Sequence, residues 1–305
     1  MKFRWTSVAW SIVYLLLLLS LATPLTVVTT FFLIVPVVVL YATLSFRGLA
    51  LHLVPAWLIA ALIFGPAILL QAVYFLIPAV IMGHLYKKRT SALKVLFIGA
   101  GSITALFLLL LLITTIWFDF NLAGMIEEML NLAMAPLQNM TDTSLAGGAV
   151  WTPELSQQLS VFTVRMIPFT IIVCSLVLAS LTHAIVRPTL ASMGHIVPKL
   201  PPLRDWRFPR SLIWYYLVGL ILQLFSGSSV PNSFIGTILL NMMPLLQFLF
   251  LVQSASLFFF VAYHKKWNPA IPVLLVIAAL FLAPLRIAGM LDIAFPLREK
   301  LTRPK

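Results

Sequence analysis

The chain has 305 residues, of which 62% are hydrophobic and only 9% charged, with a mean hydropathy of +1.07. Soluble domains carry about 25% charged residues, and porin-type strands alternate apolar with polar positions, so this composition excludes a soluble globular domain, a disordered chain and a porin-like barrel. The net charge of +12 would suggest nucleic acid in a soluble protein; in so apolar a chain it points instead to basic loops on one side of a membrane.

The first apolar run, from Trp5 to Leu44, would be about 60 Å long as one helix, twice the thickness of a bilayer core. It must break, and Thr23-Pro24 is the break, because the residue before proline is disfavoured in the helical region. This predicts two spans, Trp5–Ala22 and Leu25–Leu44. The opening Met1-Lys2-Phe3-Arg4 imitates a signal peptide, but the apolar stretch is long, lacks a small-x-small cleavage site and leads into more membrane. The same arithmetic divides the next run at Phe64-Gly65-Pro66, predicting spans Leu49–Ile63 and Pro66–Leu85. A fifth span is Ala92–Trp117, with a small-residue patch, Gly99-Ala100-Gly101-Ser102, suited to close helix approach.

Hydropathy then falls across residues 118–160. This segment holds Asp119, Glu127, Glu128, Asp142 and Glu154 and no Lys or Arg. Within it, Leu122–Gln138 predicts an amphipathic helix, with Met125, Ile126, Met129, Leu130, Ala133 and Leu137 on one side and Glu127, Asn131 and Gln138 on the other. Such a helix would lie on the outer membrane face or fold over the bundle as a lid, with Gly124 and Gly147-Gly148 as hinges. Asn139-Met140-Thr141 matches the glycosylation triplet, which means nothing in a bacterial host. Apolar runs resume at Val161–Ile185, Ser211–Phe225, Phe234–Tyr263 and Pro269–Met290. The predicted fold is therefore all-α: a polytopic transmembrane helical bundle of eight spans and a ninth segment interrupted by Pro284 and Arg286, read as a crossing that ends near Pro284. The chain divides into a five-span front half (1–117), an acidic loop (118–160), three or four further spans (161–290) and a charged tail (291–305).

If every run spans, Lys2 and Arg4, Arg47, the Lys87-Lys88-Arg89 cluster with Lys94, residues 187–210 and His264-Lys265-Lys266 share one side, and the acidic loop takes the other. The positive-inside rule then places the amino terminus inside and the acidic loop outside. The tail disagrees: a ninth full crossing would leave Arg298, Lys300, Arg303 and Lys305 outside.

Two groups of residues are candidates for function. Residues 186–210 form a basic, proline-rich cytoplasmic loop with Arg187, Lys199, Arg204, Arg207, Arg210 and Trp206. It would contact a partner protein or anionic lipid headgroups, or simply anchor topology by snorkelling. Polar groups at membrane depth are costly and mark sites by default. Arg165, near the outer end of its run, would pair with Glu154, Glu128 or Glu127, face an anionic ligand, or snorkel outward. Arg286 and Asp292 are too far apart for a helical pair, so each would meet another span. Gln71 and Asn241 are the best ligand contacts among the uncharged polar residues, while Gln247 and Gln253, each six residues on from the last, share no stripe with Asn241. His52 and His183 read as structural.

Enzyme signatures are weak. Glu127-Glu128 partly resembles the paired glutamates of intramembrane CAAX-type proteases, but the arginine those need four residues later is Leu132 here. There is no GxxxxGK[ST], HExxH or GxSxG. The five histidines have no metal-ligand spacing, and Cys174 is the only cysteine. No cofactor, no metal and no catalysis are expected.

Three stretches carry a family resemblance. They are the paired short spans around Gly65-Pro66 closing on Tyr86-Lys87-Lys88-Arg89, the run LPPLRDWRFPRSLIWYYLVGL from Leu200, and HKKWNPAIPVLL from His264 with RIAGMLDIAFPLREKL from Arg286. Together they resemble the YybS family of bacterial membrane proteins, whose function is unknown. The resemblance implies a bacterial cytoplasmic-membrane location and about eight spans. The front half is also similar to substrate-binding S components of energy-coupling-factor transporters, six-span proteins that bind a vitamin-like molecule and dock on a membrane partner. Their Ala-x-x-x-Ala docking motif is absent from the first span, where Val13 follows Ala9, although Ala56-x-x-x-Ala60 occurs in the third.

The expected function is a small-molecule binding or transport component of the membrane, with Gln71, Arg165, Asn241, Glu127 and Glu128 as candidate ligand contacts. The alternative is a non-transporting scaffold that docks a partner through the basic loop. Membrane lipids are expected partners, a small molecule and a partner protein are further candidates, and nucleic acid is not expected.

Overall fold

The computed structural model describes residues 5–138, 152–225, 233–295 and 297–302, and every regular element among them is helical. The Asn139-Met140-Thr141 triplet, the Gly147-Gly148 pair and the charged residues Lys2, Arg4, Asp142, Arg303 and Lys305 lie outside the described residues. In chain order the first helices are α1 (Trp5–Ser20), α2 (Thr26–Thr43), α3 (Phe46–Phe64), α4 (Ile68–Lys87), α5 (Ala92–Trp117), α6 (Leu122–Gln138) and α7 (Pro153–Arg165). They are followed by α8 (Ile167–Ser192), α9 (Ser211–Phe225), α10 (Phe234–His264), α11 (Ala270–Phe281), α12 (Ala283–Ala294) and α13 (Leu297–Thr302). Among the described residues, α2, α3, α4, α5, α8 and α10 have the length and composition to cross a membrane. The apolar helices α1 and α9 are shorter, at 16 and 15 residues.

The chain forms two compact units. One takes residues up to Phe120 together with Ile171–Leu200; the other takes Asn121–Thr170 and the chain from Pro201 onward. The predicted breaks of the first unit are where the prolines put them. Between α1 and α2, the Thr23 hydroxyl donates to the Ser20 carbonyl at 2.7 Å and accepts the Leu25 N–H at 3.3 Å. α3 ends on Gly65, whose φ of +82° suits glycine alone.

At the centre of the first unit is α2. Its eight residues Leu33–Leu40 are all buried, so this stretch is enclosed on every side, as an all-round apolar helix requires. α1, α3 and α4 pack around it, and α5 packs on α4. α5 buries Ala92, Val95, Leu96, Gly99, Ala100 and Ile103, a stripe at helical spacing, and exposes Leu108, Leu109 and Leu112. Of its small-residue patch, Gly99 makes the close approach: a Cβ there would lie 2.8 Å from the Met82 sulfur, whereas Gly101 faces open space. The two histidines read as structural have side-chain partners. Ser11 Oγ lies 2.8 Å from His52 Nδ1, and Tyr86 OH lies 2.6 Å from His183 Nδ1.

The helix ends carry an unexpected residue choice. α4 and α10 both close with paired bonds that turn the chain through a left-handed residue. At α4, Arg89 (φ 53°) donates to Tyr86 O and Thr90 to Leu85 O; at α10, Lys266 (φ 51°) donates to Tyr263 O and Trp267 to Ala262 O. Glycine normally fills that position, as Gly194 does after α8 (φ 86°). A basic side chain there costs roughly 1 kcal/mol of backbone strain, partly offset by its charge at the negative end of the helix dipole.

The span expected at Val161–Ile185 is corrected in its bounds: the run begins on α7, and the helix long enough to cross is α8, Ile167–Ser192. Thr152 caps α7 by accepting the Leu155 N–H at 3.2 Å, with Pro153 in the first turn, and α7 ends at Arg165 just ahead of Pro168, which has no N–H to give to the Val164 carbonyl. Arg165 is therefore the last residue of α7 rather than a residue inside a span, and its charge lies at a helix C-terminus, where it is favoured. α6 has the predicted bounds, but it packs against α7 as a hairpin. Of its apolar side, Ile126 and Leu130 are half-buried, and Met125, Met129 and Ala133 are exposed.

The ninth segment is also two helices. α11 and α12 are bent by 110° at Leu282, where the backbone is extended ahead of Pro284. Arg286 stabilises the break by reaching back to the end of α11. Its Nε donates to Ala279 O at 3.0 Å and its Nη2 to Leu280 O at 2.7 Å, satisfying carbonyls that a helix end leaves open. α12 then packs tightly on α10. A Cβ on Gly289 would lie 2.1 Å from the Phe250 carbonyl oxygen, and Ser254 Oγ accepts the Gly289 N–H at 2.8 Å and donates to Arg286 O at 3.2 Å.

Candidate functional site

The second unit holds a buried polar cluster built from three separate parts of the chain. α10 carries Gln253, Ser254 and Ser256, exposed by 1% or less, in the middle of an apolar helix. α12 contributes Asp292, and α13 contributes Arg298. The Arg298–Asp292 ion pair is 2.6 Å long, with side chains 3% and 2% exposed. Gln253 Nε2 donates to Asp292 Oδ2 at 2.5 Å, and its Oε1 accepts the Phe208 N–H at 3.1 Å.

The basic loop supplies the remaining acceptors. Arg298 Nη1 donates to Arg204 O at 2.6 Å, and Nη2 donates to Trp206 O at 3.1 Å and to Ser256 Oγ at 2.9 Å. Ser256 itself donates to Trp206 O at 2.8 Å. A buried guanidinium is tolerated only when paired and hydrogen-bonded, and here both conditions are met. The loop is held as a consequence: a 3-10 turn at Leu203–Asp205 packs on α10, and Trp206 Nε1 donates to Pro201 O at 2.9 Å.

Beside the ion pair is a cavity of about 110 Å³. Its walls include Gln253, Asp292 and Arg298, and its other charged lining residues are Arg207, Arg210 and Glu299. Arg207 and Arg210 are exposed. With Asp292 neutralised by Arg298, the two remaining arginines outnumber Glu299, so the electrostatics favour an anionic group.

The residues singled out from sequence are dispersed. Gln71 is exposed on α4 in the first unit. Arg187 and Lys199 also belong to the first unit, whereas Arg204, Arg207 and Arg210 belong to the second, so the basic loop is divided between the two. Arg165 and Asn241 are brought together, but through the backbone. Asn241 Nδ2 donates to Arg165 O and to Thr237 O, each at 2.8 Å, and its Oδ1 accepts the Phe169 N–H at 2.8 Å. Its amide is spent on joining the break between α7 and α8. Glu127 and Glu128 line a shallow depression on α6 with Gly124, Asn131 and Leu132. Sequence reasoning named Asp292 and Gln253 separately and treated Arg298 only as a tail charge. The available signal was Gln253-Ser254-Ala255-Ser256 inside an apolar run, together with a lone aspartate that needs a cation.

The model of the family described as "Predicted membrane protein (DUF2232)" matches residues 11–293. The chain belongs to this family. It is 29% identical over 140 residues to the uncharacterized protein YybS of Bacillus subtilis (strain 168), a match covering 45% of each chain. The chain thus aligns with less than half the length of that relative. No solved structure matches. The YybS resemblance and the membrane character read from the sequence both stand on these matches, and neither carries a stated activity.

Proposed function

We propose that the protein is a small-molecule binding component of the bacterial cytoplasmic membrane, taking a small anionic group in the cavity beside Asp292 and Arg298. The observation that carries this reading is that cavity, with a neutralised ion pair in its wall and Arg207 and Arg210 left to meet an anion. Charge-assisted bonds from arginine are the strong, geometrically specific way to hold a carboxylate or phosphate. The chain also breaks between α11 and α12, ten residues before Asp292, and discontinuous helices are common in transporters. The role assigned is binding, without catalysis.

The test is mass spectrometry of what leaves the gently purified protein on denaturation, compared with the R207Q/R210Q variant. A non-lipid anionic molecule present in the first and lost from the second, at equal helicity, is the expected result. Equal recovery from both, or no such molecule from either, would sink it.

A second reading, a partner-docking scaffold, is favoured by one observation. The donors of Arg298 go to protein acceptors, which is how a structural clasp behaves, and the clasp makes the basic loop a rigid surface. Recovery of a stoichiometric protein partner with no small molecule would support it.

A further inference from the structure

A second groove in the same unit lies where α10 ends and α11 begins. It is larger, about 590 Å³, and its composition differs from that of the polar cavity. Phe259, Tyr263, Trp267 and Pro272 form apolar and aromatic walls, and the charged lining residues are Arg204 and Lys266. Arg204 is stacked over the Tyr263 ring at 3.8 Å, and Lys265 lies 5.8 Å from the centre of the Trp267 ring. Asp205 is the adjacent acid, 3.8 Å from Arg204, which leaves two lysines in excess.

We propose that this groove binds an anionic phospholipid. The acyl chains would run along Phe259 and Pro272, and the phosphate would sit between Arg204 and Lys266. Three features support this occupant. The groove is at the end of a long apolar helix, where the headgroup zone begins, and Tyr and Trp are the side chains that favour that zone. Its charge is complementary to phosphate, and basic pockets between membrane helices hold such headgroups. Its walls are mostly apolar, which suits a lipid tail better than a free inorganic ion. Lys266, in the left-handed conformation where α10 ends, is one of the groove's lining residues. The proposal is independent of the ligand assigned to the polar cavity, since it involves other side chains.

The experiment uses the full-length protein in neutral detergent. Native mass spectrometry measures binding of phosphatidylglycerol and of phosphatidylcholine with identical acyl chains. Preferential retention of phosphatidylglycerol is expected. Each basic contact near the surface contributes about fivefold in affinity, so R204Q/K266G should weaken phosphatidylglycerol roughly thirtyfold and leave phosphatidylcholine unchanged. Glycine at 266 relieves the positive φ, so K266G alone keeps the fold and should still lose about fivefold. Equal binding of the two lipids, or phosphatidylglycerol binding unchanged in both variants, would overturn the proposal.

Discussion

Arg298 shows how one side chain can join parts of a chain that local sequence patterns do not connect. Its guanidinium meets Asp292 from α12, Ser256 from α10 and two carbonyls of the basic loop. Removing one member of a buried ion pair strands the other charge, at about 3–5 kcal/mol, whereas replacing both by apolar groups is often nearly neutral. Arg298→Ala should therefore lower the midpoint of thermal unfolding in detergent sharply. The double variant D292L/R298M should regain most of the loss. If the single and double variants unfold at the same temperature, the ion pair is not what holds the tail to the loop. Asn241 is the contrasting case. A polar side chain inside an apolar run needs an explanation, and for Asn241 the explanation is the backbone of a broken helix rather than a ligand.

At the scale of elements, the prolines were readable and the helix pairings were not. Thr23-Pro24 and Gly65-Pro66 break the chain where chain length and proline sterics require. The Pro168 break was hidden, because apolar residues continue across it and only Thr152-Pro153-Glu154 announces α7. The α11–α12 bend bears on topology. Arg298, after the bend, bonds to Arg204 O and Trp206 O, and Arg204 stacks on Tyr263 near the end of α10. The tail therefore comes back to the residues from which α11 departs. This favours a re-entrant hairpin over a ninth crossing and would return the tail charges to the basic side. In a Cys174→Ser background, Lys265→Cys and Glu299→Cys should then react with a membrane-impermeant maleimide from the same side. Labelling from opposite sides would make the segment a crossing.

For the whole molecule, the expectation that carries over from charge is orientation: basic loops inside, the acidic segment outside. Reporter fusions placed after Ser144 and after Lys199 should report opposite sides of the membrane, and agreement between them would overturn the topology. The short helices fit this frame physically. α9, at 15 residues, is about 22 Å long, and α10, at 31, is about 46 Å. Around Phe208 the chain leading into α9 bonds to Gln253, eleven residues before the end of α10, and the loop packs along the remaining turns of α10.

By itself, the sequence determined the class of the protein, the positions of most helices and the sign of each loop. Those follow from local quantities: apolar run length against bilayer thickness, proline geometry and the count of charges between runs. Only the tertiary structure decided which polar residues cluster. Asp292, Arg298, Gln253 and Ser256 lie up to 45 residues apart, and the Arg204 and Trp206 carbonyls they meet lie farther still. No periodicity relates such positions. They come together because a buried charge must find its counter-charge and acceptors wherever the folded chain places them. One arginine of that basic excess thus has a second use, drawn inside to meet Asp292.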